Sequence, residues 1–302
     1  MYDLLIIGGG PAGMTAAVYA ARKKMNTLLI TKEFGGQPMW TMEIENYMGY
    51  QFVTGPELMA KFEEQVQRFS TPIKYEEINK LVRNDDSTFT AIGNEGGEYR
   101  AKAVIIASGK RPRLLNVPGE KEFTGRGVSY CATCDGPLFA GKTVAVIGSG
   151  NSAVQAAVEL GNVAEKVYIV VRKAYRADEI LLDKMKKLNT VTEVIGYVAQ
   201  EIIGEQFVEK LVIASSDSKE TKELSVQGVF VEIGLMPNSE FLADMVQLNR
   251  IGEVQVDCHT KTGIPGLFAA GDVNDGPDKQ IVIAAGDGAK AALMAYDYLL
   301  RT

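Results

Sequence analysis

The first thirty residues alternate short apolar runs with a glycine-rich turn and a stretch of small residues. Residues 4–7 are apolar throughout and predict a buried strand, because strands of a parallel sheet are covered on both faces. A helix is predicted after the turn at 8–13, with the alanines at 16, 17, 20 and 21 on one face. Residues 28–30 predict the next strand. This order of elements is that of a βαβ unit.

The same pattern returns near the middle of the chain. Residues 143–147 predict a strand, residues 154–160 a helix and residues 166–171 a second strand, with a glycine turn after the first. A repeat of this size indicates an internal duplication at the scale of a domain. We therefore predict an α/β protein with two related units.

Both predicted turns carry the GxGxxG/A pattern of dinucleotide-binding folds, as GGGPAG at 8–13 and GSGNSA at 148–153. The first glycine permits a tight turn, the second lets a pyrophosphate approach the backbone, and the third position lets the helix pack on the strand. The N-terminus of the helix then faces the phosphates. The two units are therefore predicted to be Rossmann-like nucleotide-binding domains. The pattern positions are Gly8, Gly10, Gly13, Gly148, Gly150 and Ala153.

Two cysteines with a following acid carry the candidate chemistry. Cys131 and Cys134 are separated by two residues, and Asp135 follows at once. At this spacing one thiolate can attack a partner disulfide and the second cysteine can resolve the mixed disulfide. Asp135 could supply or accept the proton that this exchange moves. A redox pair between two nucleotide loops indicates electron transfer.

Two other interpretations of the pair are weaker. A tetrahedral zinc site needs four ligands, and only Cys258 and the single histidine, His259, remain to complete one. These two are adjacent in sequence, which is not a zinc-finger spacing, and we predict no metal. A purely structural disulfide is disfavoured because no secretory signal is visible and cytosolic disulfides are usually catalytic or redox-sensing.

Composition narrows the function classes. The chain has 302 residues, enough for two domains with real cores, and is 46% hydrophobic and 23% charged. A net charge of −6 disfavours nucleic acid as a partner. No apolar run approaches the length of a membrane span, and no basic leader precedes the first strand. We expect a cytoplasmic protein.

Taken together, these motifs resemble a known family, the low-molecular-weight thioredoxin reductases, and the closely related flavin domain of alkyl hydroperoxide reductase's reductase subunit. The resemblance covers essentially the whole chain. It implies FAD in the first domain, a redox-active CxxC pair, a thioredoxin or thioredoxin-like partner, and a homodimer. It also implies that Cys134 interacts with the flavin and that Cys131 attacks the partner. The motifs are GGGPAG (8–13), GGQ (35–37), IENY (44–47), ASG (107–109), CATCDGPLF (131–139), GSGNSA (148–153), GLMPN (234–238) and AAGD (269–272).

The resemblance also implies the residues that bind FAD. The glycines of the first loop would hold the pyrophosphate, and a carboxylate at 272 suits the hydroxyl groups of a sugar chain. The implied FAD residues are Gly8, Gly10, Gly13, Gly36, Gln37, Asn46, Gly109, Gly271, Asp272 and Gln280.

The chain departs from the family at residues 171–176. Family members that use NADPH carry a histidine and several arginines here to bind the 2′-phosphate. Val171 stands in place of the histidine and Lys173 in place of one arginine, which matters because lysine cannot bind phosphate in the bidentate way. Acids that would bind the NADH ribose are missing too. Arg172 and Arg176 remain as candidate NADPH ligands, together with the loop residues Gly148, Gly150 and Ala153.

The second domain is predicted to interrupt the first. Residues 1–114 and 245–302 are assigned to the FAD-binding domain, and residues 115–244 to the NAD(P)H-type domain that carries the CxxC pair. A linker is predicted near residues 114–124, and a second crossing between the domains near residues 234–238, where glycine and proline break a strand at 229–233. An alanine-rich helix is predicted from about 287 to 300.

Three functional hypotheses follow. The first is an FAD-dependent thioredoxin or disulfide reductase that receives electrons from NADPH. The second is a member of the same family that is independent of pyridine nucleotides and receives electrons from ferredoxin or another carrier; residues 172–187, with six basic and three acidic side chains, could steer such a donor. The third is a flavoprotein redox sensor without turnover, which the CxxC pair with its acid disfavours.

Overall fold

The computed structural model describes residues 1–41 and 43–302. The helices, in chain order, are α1 (Pro11–Arg22), α2 (Gly55–Arg68), α3 (Ala132–Asp135), α4 (Asn151–Gly161), α5 (Glu179–Met185) and α6 (Ile281–Leu299). The strands, in chain order, are β1 (Tyr2–Gly9), β2 (Thr27–Phe34), β3 (Ile73–Tyr75), β4 (Ile78–Arg83), β5 (Phe89–Gly93), β6 (Glu98–Ile106), β7 (Lys110–Pro112), β8 (Val128–Ser129), β9 (Thr143–Ile147), β10 (Lys166–Val171), β11 (Val191–Ile195), β12 (Tyr197–Gly204), β13 (Val208–Ser215), β14 (Thr221–Ser225), β15 (Gly228–Val231), β16 (Leu235–Pro237) and β17 (Leu267–Ala269).

The chain forms two compact units. Unit 1 consists of Met1–Met39, Tyr47–Arg111 and Met236–Thr302, and unit 2 of Trp40–Asn46 and Pro112–Leu235. The chain thus passes from unit 1 to unit 2 within β7 and returns within β16, three and nine residues before the predicted boundaries at 114 and 244. A short segment near residue 40 also joins unit 2, which no composition change in the sequence indicates.

Unit 1 is built on a sheet with the order β3-β2-β1-β6-β5-β4, and β17 pairs with β6. Strands β1, β2, β3, β6 and β17 are parallel where they pair, while β4 and β5 run antiparallel. Leu4, Leu5 and Ile6 of β1 are completely buried, as the apolar run predicts. Helix α1 follows β1 directly, and β1 and β2 pair in parallel, which is the predicted βαβ unit.

Unit 2 repeats this plan with a five-stranded parallel sheet in the order β11-β10-β9-β15-β8. Strands β12, β13 and β14 form a separate antiparallel sheet. The predicted strands at 143–147 and 166–171 match β9 and β10 residue for residue. Both units therefore have the Rossmann-like topology, and the predicted α/β class is confirmed.

Two predicted element bounds are wrong. The strand predicted at 229–233 is β15, which ends at Val231, so that residues 232 and 233 already belong to the loop after it. The last helix begins at Ile281 and not near 287. Glycine disfavours helix interiors, and Gly286, one residue before the predicted start, explains why that start is late. Gly288, inside the predicted helix, is retained by packing, because a Cβ there would lie 2.0 Å from the carbonyl oxygen of Ala12 in α1.

Candidate active site

The cysteine pair forms a disulfide at the start of α3 in unit 2. The Cα atoms of Cys131 and Cys134 are 5.3 Å apart. Cys131 is the N-cap residue of α3, and its Sγ accepts a hydrogen bond from the backbone N–H of Cys134 at 3.2 Å. An N–H donor at this sulfur stabilises negative charge, so that Cys131 is the better placed of the two to act as a thiolate after reduction.

The redox segment is anchored to the parallel sheet by an aromatic pair. Phe139, four residues after Asp135, lies edge to face against Phe230 of β15 with ring centroids 5.1 Å apart. Gly228 makes this contact possible, because a Cβ at that position would lie 2.4 Å from the Phe139 ring. The cysteines therefore sit on a support that the unit 2 core holds in place.

Asp135 is joined to the cysteine pair through one serine. The Ser129 hydroxyl donates to Oδ2 of Asp135 at 2.6 Å and accepts the backbone N–H of Cys131 at 3.1 Å. The other carboxylate oxygen of Asp135 is buried and has no hydrogen-bond partner among the described residues. Burial raises the pKa of Asp135, the nearby Glu43 raises it further, and the Ser129 hydrogen bond opposes the rise. Asp135 thus keeps its proton to a higher pH than an ordinary aspartate.

The first glycine loop lies between β1 and α1. A Cβ at Gly8, where φ is +117°, would lie 2.2 Å from the carbonyl oxygen of Ala107, and a Cβ at Gly13 would lie 1.8 Å from the carbonyl oxygen of Gly8. These two glycines are thus required by the fold itself. Gly10 differs, since it has an extended backbone and nothing lies within 4 Å of an added Cβ. The space beside Gly10, at the uncapped N-terminus of α1, fits a phosphate.

Other predicted FAD residues gather around this loop within unit 1. A Cβ on Gly36 would lie 3.7 Å from the Cα of Gly10. Gly271, with φ at +72°, lies against the start of α1, because its Cβ would be 2.9 Å from the Cβ of Ala12. Two segments that are more than two hundred residues apart in sequence therefore meet at the same loop.

Gln37 and Asp272 are in direct contact. The Gln37 side-chain amide donates to Oδ2 of Asp272 at 3.3 Å. Burial raises the pKa of Asp272, while Lys279 and Lys110 lower it to a smaller extent. A buried carboxylate beside an amide and a glycine loop is well suited to accept hydroxyl hydrogen bonds from a sugar chain.

A buried ionic cluster lies next to Asp272. The carboxylate of Glu253 pairs with the ammonium of Lys110 and, at 3.3 Å, with that of Lys279. Lys110 and Glu253 are both buried. Sequence analysis missed this cluster because Lys110 and Glu253 are 143 residues apart and neither belongs to a recognised motif.

Three further predicted FAD residues are placed differently. Gly109 has φ at +67° and open space around it, and its carbonyl oxygen accepts the N–H of Asn238 at 3.0 Å. Gln280 is the N-cap residue of α6. Asn46 ends the Trp40–Asn46 segment of unit 2, whereas the other predicted FAD residues belong to unit 1.

The second glycine loop has the same construction as the first. A Cβ at Gly148 would lie 2.3 Å from the carbonyl oxygen of Glu232 and 2.7 Å from the Cβ of Ala153. Gly150 has an extended backbone and nothing within 4 Å of an added Cβ. Space for a phosphate is thus present at the uncapped N-terminus of α4, as it is at α1.

The basic turn after β10 is held against this loop. The N–H of Arg176 donates to the carbonyl oxygen of Ser149 at 2.7 Å. Asn151 and Asp178 exchange two hydrogen bonds, each 2.9 Å long. The side chains of Arg172 and Arg176 are exposed, and neither forms an ion pair within the described residues. The turn that is tied to Ser149 thus presents two exposed guanidinium groups that form no ion pair within the described residues.

Two residues near the cysteine pair were missed by sequence analysis. Ser129, two residues before Cys131, could have been found as a hydroxyl within hydrogen-bonding reach of an N-cap. Glu232 lies directly after β15, and its carboxylate accepts the backbone N–H of Ala132. Glu232 is far from the cysteines in sequence, so no motif connects it with them.

Two negative findings concern only residues 1–41 and 43–302. No group of three or more His, Cys, Asp or Glu side chains there could hold a metal ion. None of the helices there is long and apolar enough to cross a membrane.

The fold and this site define a class of protein with two Rossmann-like units, one of which carries a CxxC disulfide at a helix N-cap. More particularly, the chain belongs to the pyridine nucleotide-disulphide oxidoreductase family, whose model matches residues 2–288. The predicted resemblance to thioredoxin reductases is confirmed.

The chain is similar along essentially its whole length to proteins with three different names. The chain is 44% identical to an NADH dehydrogenase of Bacillus subtilis over 99% of its length, and 44% identical to an alkyl hydroperoxide reductase polypeptide of Pseudomonas aeruginosa over 100%. It spans only 59% of the length of each of these relatives. The crystal structure of a thioredoxin reductase from Streptococcus pyogenes is 39% identical, covers 100% of this chain and 99% of its own, and superposes with a TM-score of 0.95.

Proposed function

We propose that this protein is an FAD-dependent disulfide reductase that transfers electrons through the Cys131–Cys134 pair to a thioredoxin or thioredoxin-like protein. One observation carries the proposal: a disulfide at a helix N-cap is linked through Ser129 to an acid with a raised pKa. Such an arrangement supplies both the thiolate and the proton that disulfide exchange requires.

The FAD proposal rests on the first glycine loop and the residues that surround it. Gly8, Gly10 and Gly13 would hold the pyrophosphate at the N-terminus of α1, and Asp272 with Gln37 would bind the ribityl hydroxyl groups. When bound, FAD would supply two-electron chemistry that reduces the protein disulfide.

The steps that follow reduction use this chain's own atoms. Cys131 loses its proton and attacks one sulfur of the partner's disulfide; a mixed disulfide forms, and the partner's other sulfur leaves and is protonated. Cys134 then loses its proton and attacks Sγ of Cys131. The Cys131–Cys134 bond re-forms, and the partner's remaining sulfur leaves and takes a proton. Two electrons and two protons thereby pass to the partner, and Asp135 is the group placed to hold a proton in transit.

For the electron donor we favour a nicotinamide nucleotide bound at the second glycine loop. Gly148, Gly150 and Ala153 form that loop, and the free guanidinium groups of Arg172 and Arg176 favour the 2′-phosphate of NADPH. Similarity to relatives named NADH dehydrogenase supports NADH as the second candidate. Ferredoxin is named by none of the relatives described above, and it remains only as an outcome of the test below.

For the partner we favour thioredoxin because of the similarity to thioredoxin reductases. The exposed ring of Trp40 lies 6.4 Å from the ring of Tyr130, directly before Cys131, and offers an apolar surface for docking. The alkyl hydroperoxide reductase relatives are longer than this chain, so a separate thioredoxin-like protein could supply what their additional residues do. A homodimer and a cytoplasmic location complete the proposal.

Flavin extraction and donor comparison test the proposal. The purified protein is expected to be yellow and to release FAD and not FMN, because a pyrophosphate is what the α1 loop accommodates. Anaerobic stopped-flow bleaching of the flavin should then be fast with NADPH, slower with NADH and negligible with reduced ferredoxin. Absence of FAD, or a reduced flavin that never passes electrons to any protein disulfide, would contradict the proposal and favour a redox sensor.

Asp135→Asn is expected to slow turnover by roughly one to three orders of magnitude, the size of general acid–base assistance. FAD content should not change, because Asp135 belongs to unit 2, whereas the predicted pyrophosphate loop belongs to unit 1. The raised pKa of Asp135 also predicts a pH profile: the wild-type rate changes as this acid ionises above the usual aspartate range, and the variant lacks that step. Turnover at the wild-type rate over the whole pH range would remove Asp135 from the mechanism.

A further inference from the structure

Glu232 and the cysteine pair follow the carboxyl ends of two paired parallel strands, although they are far apart in sequence. Parallel strands β15 and β8 pair Val229 with Val128 and Phe230 with Ser129. Glu232 follows Phe230 by two residues, and Cys131 follows Ser129 by two residues, so both lie just beyond this paired end of the sheet. The carboxyl ends of parallel strands are where such sheets bind ligands and carry chemistry.

The backbone of Glu232 is fixed between the redox helix and the second glycine loop. Its N–H donates to the carbonyl oxygen of Ile147 at 2.8 Å. Its own carbonyl oxygen occupies the space that a Cβ on Gly148 would need. The side chain reaches α3, where the carboxylate accepts the N–H of Ala132. Ala132 is bonded to Cys131, so the carboxylate lies one residue from the attacking sulfur.

The charged groups that act on Glu232 and on Asp135 are themselves acidic. Glu159 of α4 acts on Glu232 and also accepts the Thr133 hydroxyl of α3 at 3.1 Å. Glu43 acts on Asp135, the acid that directly follows the pair. Glu232 is partly buried, and no lysine or arginine contributes to its titration within the described residues.

These surroundings raise the pKa of Glu232 into the neutral range. Burial is the main cause that raises the pKa of Glu232 to about 7, and Glu159 raises it further, while the Ala132 N–H opposes both. The carboxyl group is therefore neutral in mildly acidic solution and negatively charged in mildly alkaline solution. The change occurs where thiols begin to ionise.

We propose that Glu232 is a positioning residue whose charge controls how readily the reduced Cys131–Cys134 pair forms its thiolate. A negative carboxylate beside Cys131 opposes a second negative charge on the sulfur, whereas a protonated carboxyl group does not. As the pH rises, ionisation of Glu232 thus partly offsets the ordinary gain in thiolate. The inference depends on the proposed function only in taking Cys131 as the attacking thiol.

A single-thiol protein tests this inference without turnover. In the full chain with Cys134→Ser and Cys258→Ser, Cys131 is the one remaining thiol. The rate of its alkylation by iodoacetamide, measured against pH with and without Glu232→Gln, reports the thiolate fraction. The ratio of the rates, variant over parent, is expected to rise from about one at about pH 6 to about ten at about pH 8, since a nearby like charge shifts a pKa by about one unit or more.

Glu159→Gln in the same background is the matched control. It removes one negative charge near Glu232, as Glu232→Gln does at position 232 itself. Glu159 is exposed, however, and solvent screens its charge, so the ratio of alkylation rates should stay below about two. If Glu232→Gln fails to fold, Glu232→Ala removes the same charge and is expected to give the same rise of the ratio with pH, and a ratio that stays near one would overturn the inference.

The outcomes separate the inference from the proposed function. Identical profiles for the parent and Glu232→Gln, or an equal shift from Glu159→Gln, would overturn the role of Glu232 even if the wild-type enzyme reduces thioredoxin normally. A pH-dependent shift that is specific to Glu232 would support it even if the true partner is not a thioredoxin.

Discussion

Replacing either Cys131 or Cys134 by serine is expected to abolish turnover with a protein disulfide while the flavin remains bound. The two sulfurs act in sequence, one to attack and one to resolve, so the loss of either interrupts the exchange. Activity should fall below roughly a few per cent of wild type, because groups that act as one unit are not additive. The measurement is steady-state reduction of thioredoxin together with the flavin absorbance of each variant.

Cys258→Ser is the control for the cysteine variants. Cys258 is exposed and forms no disulfide in the structure, and it lies in unit 1, whereas the redox pair lies in unit 2. This variant should behave like wild type. Substantial activity in Cys131→Ser or Cys134→Ser, or an equal loss in Cys258→Ser, would refute the assignment of the redox pair.

The second large effect is expected at the basic turn after β10. If NADPH is the donor, Arg172 and Arg176 carry its 2′-phosphate, and changing both to alanine should raise the apparent KM for NADPH by about ten- to a thousand-fold. This range corresponds to about 1.4–4 kcal/mol in total, the size of one to two charged hydrogen bonds. NADH has no phosphate at this position, so the KM for NADH should change little.

Lys186→Ala with Lys187→Ala supplies a matched control. Both lysines are exposed in unit 2 and their removal changes the net charge equally, but they lie beyond α5 and not in the turn that Ser149 holds. Their effect on the KM for NADPH should be small. An equal loss in both double variants would indicate a general charge effect, which salt should then weaken. Rapid, saturable flavin reduction by NADPH that is indifferent to both arginines would refute the NADPH proposal.

Much of the fold was predictable because its determinants are local. The apolar runs that became β9 and β10 lie next to glycine loops, and a buried parallel strand followed by such a loop leaves few alternatives. Boundaries were less predictable. The chain returns to unit 1 at Met236, inside the crossing predicted near residues 234–238, whereas the domain bound given as 244 lies beyond it.

The candidate site was predictable in part for the same reason. Cys131, Cys134 and Asp135 form a contiguous motif whose chemistry depends on spacing alone. Gly271 and Asp272 were assigned only through the family resemblance. Their approach to the first glycine loop depends on how β17 and α6 pack beside β6 and α1, and nothing local to these residues indicates it.

The sequence by itself determined the class of fold, the two phosphate-binding loops and the redox pair, because glycine turns, apolar strands and a CxxC spacing are properties of short segments. The tertiary structure alone decided the proton and charge environment of that pair. Ser129 links Asp135 to Cys131 through space. Glu232 reaches the redox helix only because β8 and β15 pair in parallel, and strand pairing joins residues that the chain keeps far apart.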